Sequence, residues 1–174
     1  MSCREILTDN EYINIVDKYL QNDKVQHMKN IPHHDSNRLD HCLKVSYLSY
    51  KVSKKLHLNY ESVAKAGLLH DLYHEQIDDF ENMKDKMSLF MNDHPATALQ
   101  NAKTICDLST LEENIILSHM WPASKYKPKF KESFVVGGID KFVSIKEFKN
   151  RNAYKLSFKL GVYFILLTCF MFKN

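Results

Sequence analysis

The chain has 174 residues, room for one domain with a real core, and its 44% hydrophobic and 26% charged content is that of an ordinary globular protein. A formal charge of +3 is too small to argue for nucleic acid, and four glycines with four prolines are too few for a turn-rich β architecture, so helices are favoured. Cys3, Cys42, Cys106 and Cys169 contain no Cys-x-x-Cys pair, and Met-Ser-Cys-Arg-Glu lacks the basic start of a signal peptide, which excludes a zinc ribbon or disulfide framework and points to reduced thiols in the cytoplasm.

The first predicted element is a helix over residues 9–21, where Tyr12, Ile13, Val16, Tyr19 and Leu20 recur at three- and four-residue steps and Thr8 or Asp9 supplies a cap. Residues 27–37 are polar, carry Pro32 and the pair His33-His34, and read as a loop. A second helix follows to about residue 57, capped by Ser36 or Asn37, with Leu39, Leu43, Tyr47 and Tyr50 along one side and His41 in its first turns. A third begins at Asn59 or Tyr60 and aligns Val63, Ala66, Gly67 and His70 on one face, with Asp71 at its end. Residues 75–86 are acidic and irregular and are expected to be a loop with a partial helix.

Asp93-His94-Pro95 is expected to open a fourth helix, with Asp93 or His94 at the cap and proline in the first turn. Thr110 is expected to cap a fifth, which contains Ile115, Ile116 and His119 and closes at Pro122. The basic loop Lys125-Tyr-Lys-Pro-Lys-Phe-Lys131 comes next, then a helix from Ser133 that puts Val136, Asp140 and Val143 on one face. A last helix is expected over residues 152–172. Its apolar run, 161–172, falls short of the ~20 residues of a membrane span, so a buried helix is the preferred reading and a membrane tail the alternative. No repeat, low-complexity tract or linker divides the chain, which reads as one all-α domain.

The residues that carry chemistry are His41, His70, Asp71, His94, His119 and Asp140. Taken singly, each has an ordinary explanation. Asp140 could pair with Lys141 or turn outward, His119 could be a hydrogen-bonded core histidine, His94 a helix cap, and His41 a surface residue. Yet His70, His119 and Asp140 fall on the apolar sides of three helices, where a carboxylate is costly unless paired or bound to a cation.

The order His, His-Asp, His, His, Asp on successive helices resembles the HD superfamily of metal-dependent phosphohydrolases. Within it, the chain is most similar to small bacterial HD-domain proteins that carry all six ligand positions. The matching stretches are Arg38-Leu-Asp-His41, Ala66-Gly-Leu-Leu-His70-Asp71, His94-Pro, Ser118-His119-Met-Trp-Pro122 and Asp140-Lys141. The resemblance covers an HD domain over 31–149, and the flanks read as an N-terminal helical segment over 1–30 packed on that core and an apolar C-terminal helix over 150–174. The resemblance implies a helical bundle with a metal site between helices: one ion on His41, His70, Asp71 and Asp140, and Asp71 bridging to a second on His94 and His119. Imidazole and carboxylate together suit two divalent ions of iron, manganese, cobalt, nickel or zinc. Two such ions can hold a shared water as the hydroxide that attacks phosphorus. His70 and Asp71 then carry the catalytic centre.

Arg38 lies three residues before His41, on the same side of the helix, and its planar fork suits a phosphoryl group. Lys125, Lys141 and His34 are further candidates for contacting substrate, and His74, four residues after His70, for supporting the ligands. Trp121 and Pro122 are expected in the cavity wall. The basic loop reads as a solvated loop, not as a site for specific nucleic-acid binding.

No Gly-Tyr-Pro follows a histidine, which sets the chain apart from cyclic-di-GMP phosphodiesterases. The longer regulatory domains of the alarmone synthetase-hydrolases are missing too, and Asp-Leu-Tyr-His replaces the Ile-Gly of the commonest HD signature. The expected substrate is a small phosphorylated molecule, a nucleotide first of all. Two alternatives share the scaffold: a mixed-valence di-iron oxygenase, and a non-catalytic nucleotide-sensing module.

Overall fold

A computed structural model describes residues 3–33, 36–73 and 83–147. Among the described residues, eight α-helices run in the order α1 (Cys3–Ile6), α2 (Asn10–Leu20), α3 (Asp23–His27), α4 (Arg38–Lys55), α5 (Tyr60–Leu69), α6 (Met83–Lys103), α7 (Thr110–Ser118) and α8 (Lys131–Glu147). The fold is all-α. The segment read as a loop over 27–37 holds a 3-10 turn, Met28–Asn30, and a two-residue antiparallel pairing of Pro32 with Asn37 and His33 with Ser36.

Caps start most of these helices. The side chains of Asp9, Asn22, Asn37 and Asn59 accept the backbone N–H of Tyr12, Lys24, Asp40 and Ser62, respectively, each satisfying an orphan donor of the first turn. Ser109, not Thr110, caps α7. It forms a reciprocal box with Glu112, whose carboxylate accepts the Ser109 N–H at 2.9 Å. α8 begins at Lys131, two residues before the expected Ser133.

The larger departure is at Pro95. The sequence places it in a first turn, whereas α6 begins at Met83 and carries Pro95 in its interior. Proline has no N–H for the Met91 carbonyl, which removes one rung of the helix. The helix continues through it, so His94 stands on a long helix and does not cap a new one.

α4 is the hub. It packs on α1, α5 and α8; α5 in turn meets α2, α7 and α8, and α6 lies against α7. Leu39, Cys42, Leu43, Val45 and Tyr50 of α4 are buried with Val63, Ala66 and Leu68 of α5 and Ile115, Ile116, Val136 and Val143 of α7 and α8. The α4–α5 contact is close because Gly67 faces Ser46. A Cβ on Gly67 would stand 3.0 Å from the Ser46 Cα. Tyr12 of α2 joins the same contact, donating its hydroxyl to Ser46 Oγ at 2.8 Å, while Ser46 donates to the Ala64 carbonyl at 2.6 Å.

Among the described residues no helix is long and apolar enough to cross a membrane. The expected C-terminal helix, its apolar run, His34, His74 and most of the acidic segment lie outside the described residues.

Candidate metal centre

Five helices deliver the six expected residues to one buried place. His41 comes from the first turn of α4, His94 from mid-α6 and Asp140 from mid-α8. His70 and His119 are the residues that end α5 and α7, and Asp71 follows His70 in the turn. All six are at least nine-tenths buried. They form two triads, His41–His70–Asp140 and Asp71–His94–His119; within each, one nitrogen or oxygen per residue lies within 4.8 Å of the others. The His70 and His119 rings, 4.9 Å apart between centroids, join the two.

Ending a helix gives His70 and His119 a common geometry. The Nδ1–H of His70 donates to the Gly67 carbonyl at 2.8 Å, and that of His119 to the Ile116 carbonyl at 2.7 Å. In both, the acceptor sits three residues back. Each bond consumes an orphan carbonyl of the last turn and leaves Nε2 with its lone pair toward the centre.

His41 is held differently. Its Nε2 lies 3.1 Å from Asp140 Oδ1 and its Nδ1 3.0 Å from Glu147 Oε2. Burial opposes charge on this ring, but the two carboxylates outweigh it and raise the pKa to about 9. Burial also works against the Asp140 carboxylate, and His41 and His70 more than compensate, holding its pKa well below the usual range. Burial together with the neighbouring His70 and His94 rings pushes His119 down to about 3, so this imidazole is neutral.

In the second triad His94 Nε2 lies 3.2 Å from His119 Nε2 and 2.6 Å from Asp71 Oδ1. The Asp71 contact has ion-pair distance without hydrogen-bond geometry, which leaves Oδ1 a buried oxygen with no hydrogen-bond partner. Burial raises the Asp71 pKa, but His94, His70 and Arg38 prevail and hold it far below the usual carboxylate range. A cation among these atoms would satisfy Oδ1 and separate two imidazole nitrogens that now face each other. The donor sets, two imidazoles and one carboxylate each, therefore fit divalent transition metals.

Arg38 reaches Asp71, with Nε 3.4 Å from Oδ2, and its Nη1 donates to the Tyr73 carbonyl. Its guanidinium lies 5.6 Å from the Tyr73 ring centre, and that ring packs 5.2 Å from His94. Lys141 is occupied on the backbone: its ammonium donates to the His119 carbonyl at 2.8 Å and the Gly137 carbonyl at 3.2 Å. Asp140 thus pairs with histidines and not with its neighbour. Lys125 is exposed, its ammonium 5.2 Å from the Tyr126 ring centre. Trp121 packs edge-on against Phe134 at 5.9 Å, and Pro122 is exposed.

Sequence reasoning missed Glu147. The signal was present: Glu147 lies seven residues after Asp140, two turns along the same face of α8.

A family model described as HD domain matches residues 38–143, and the chain belongs to the HD-domain family. The match spans α4 to α8 and includes all six clustered residues. The family is of metal-dependent phosphohydrolase type. No curated protein and no solved structure matches the chain.

Proposed function

We propose that the chain is a binuclear metal-dependent phosphohydrolase that cleaves a phosphoester or phosphoanhydride of a small molecule, a nucleotide first of all. One observation carries this reading: two buried triads of the same composition lie side by side, with the Nε2 atoms of their histidines turned to the centre. His41, His70 and Asp140 would hold one ion and His94 and His119 the other, with Asp71 shared between them. When bound, two such ions supply an acidified water and positive charge for the phosphoryl oxygens.

The chain's own groups would do the rest. The backbone bonds of His70 and His119 keep their rings in the ligating tautomer. Arg38 stands beside Asp71, where its guanidinium would orient a phosphoryl group and offset its charge. Tyr73 forms a wall against His94 and Arg38. Lys141 ties the end of α7 to α8 and so fixes His119 relative to Asp140.

The test is elemental analysis of anaerobically purified protein, with phosphate release from a nucleotide panel measured on the same sample. About two transition-metal ions per chain with phosphate release is the expected result. Two irons without phosphate release would replace this reading with an oxygenase. No metal after reconstitution would overturn the site itself.

A further inference from the structure

The two triads have the same donors, two imidazoles and one carboxylate, yet their surroundings differ in charge. Three of the histidines have Nδ1 contacts that can be compared across the site. His70 and His119 each face a neutral backbone carbonyl, whereas His41 faces the Glu147 carboxylate at 3.0 Å. A carboxylate behind an imidazole fixes the ring and makes its other nitrogen a stronger donor to a cation. Glu147 is itself held, because Lys44 Nζ donates to its second oxygen at 2.7 Å. The Lys44 side chain is 23% exposed and that of Glu147 only 7%, so water screens the lysine more than the carboxylate that touches His41.

The second triad has the opposite neighbour. Its one carboxylate, Asp71, has the Arg38 guanidinium 3.4 Å from Oδ2. A fixed cation there reduces the attraction of Asp71 for another cation, and although Asp71 is assigned to both ions, the second site has no other carboxylate while the first also has Asp140. A negative group therefore backs the first triad and a positive group flanks the second.

We propose that Glu147 is a positioning residue that makes the two sites unequal: through His41, it makes His41–His70–Asp140 the tighter cation site, filled before Asp71–His94–His119. Glu147 stands outside both triads and acts only through the His41 ring. The inference rests on the binuclear reading above.

The test is anaerobic calorimetric titration of metal-free full-length protein with Mn2+. Wild-type protein should take up two ions per chain in two classes separated by at least tenfold in Kd. His94→Ala should remove the weaker class and so assign it. Glu147→Gln keeps an oxygen for the Nδ1–H but no charge. It should weaken the tighter class by roughly 10–100-fold and leave the weaker class within about threefold. A merely structural loss would weaken both classes alike and lower the melting temperature of the metal-free protein.

If Glu147→Gln does not fold, Lys44→Met carries the test. It frees the Glu147 charge for His41 and should tighten the first class several-fold with the second unchanged. Wild-type protein that binds fewer than two ions overturns the binuclear reading and this inference with it. Two ions of equal affinity, or variants that move both classes equally or neither, overturn the inference alone.

Discussion

Asp71 and Arg38 touch, and their substitution should separate holding metal from holding substrate. Asp71→Ala removes the carboxylate assigned to both ions, so elemental analysis should find neither; full metal content would end the shared role. Arg38→Lys keeps a positive charge but loses the planar fork. It should leave metal content and kcat in place and raise KM about tenfold; an unchanged KM would confine Arg38 to holding Asp71 and the Tyr73 carbonyl. The six clustered residues were legible in the sequence because their order, not any single one, was distinctive. His41 shows why single residues mislead. A histidine in a first turn next to a polar loop reads as exposed, yet it is 1% exposed, since α8 crosses α4 there and brings Asp140 and Glu147 to both of its nitrogens. Nothing in the sequence near His41 records that crossing.

At the scale of the element, helix starts were readable where a side chain caps them. Asp9, Asn37 and Asn59 are short polar residues placed directly before apolar periodicity, and each bonds the amide three residues on. Pro95 was misread for the converse reason, since proline is most at home in a first turn and only tertiary packing tells an interior proline from a starting one. Two contacts between elements also lie beyond sequence patterns. Gly67 lets α4 and α5 approach, and Gly67→Ala would drive a methyl group into the Ser46 backbone. Despite the better helix propensity of alanine, this change should cost about 1–3 kcal/mol. The check is thermal melting, with a drop of roughly 2–4 °C expected per kcal/mol. Asn114 ties the basic loop to α7. Its Oδ1 accepts from the Lys129 N–H at 2.8 Å and from Ser133 Oγ at 2.9 Å, and its Nδ2 donates to the Lys127 carbonyl at 3.3 Å. Asn114→Ala strands those groups and should cost about 1–3 kcal/mol. Hydrogen exchange should rise at the Lys129 amide and stay unchanged in α4; equal protection of Lys129 in the variant would show that the loop does not depend on this tether.

For the whole molecule, a site built from five helices would link any bound ion to stability. Ions that bind only the folded chain add about 2.7 kcal/mol each at a hundredfold excess over Kd. Chelation should therefore lower the melting temperature by roughly 5–10 °C per ion lost, and readdition should restore it. A melting point indifferent to chelation would show that the helices hold their arrangement without ions. The all-α architecture followed from scarce turn residues and helical periodicity, and those same signals could not state which helix ends meet. α5 and α7 stop at His70 and His119, so two C-termini converge on the triads, while α4 starts beside them at Arg38. Each C-terminus carries about half a negative charge and the α4 N-terminus about half a positive one. A cation between the triads would thus rest partly on peptide dipoles, and an anionic substrate approaching past Arg38 would meet the opposite pole. That share of the polarity belongs to the backbone and persists through any exchange of side chains that leaves the helices in place.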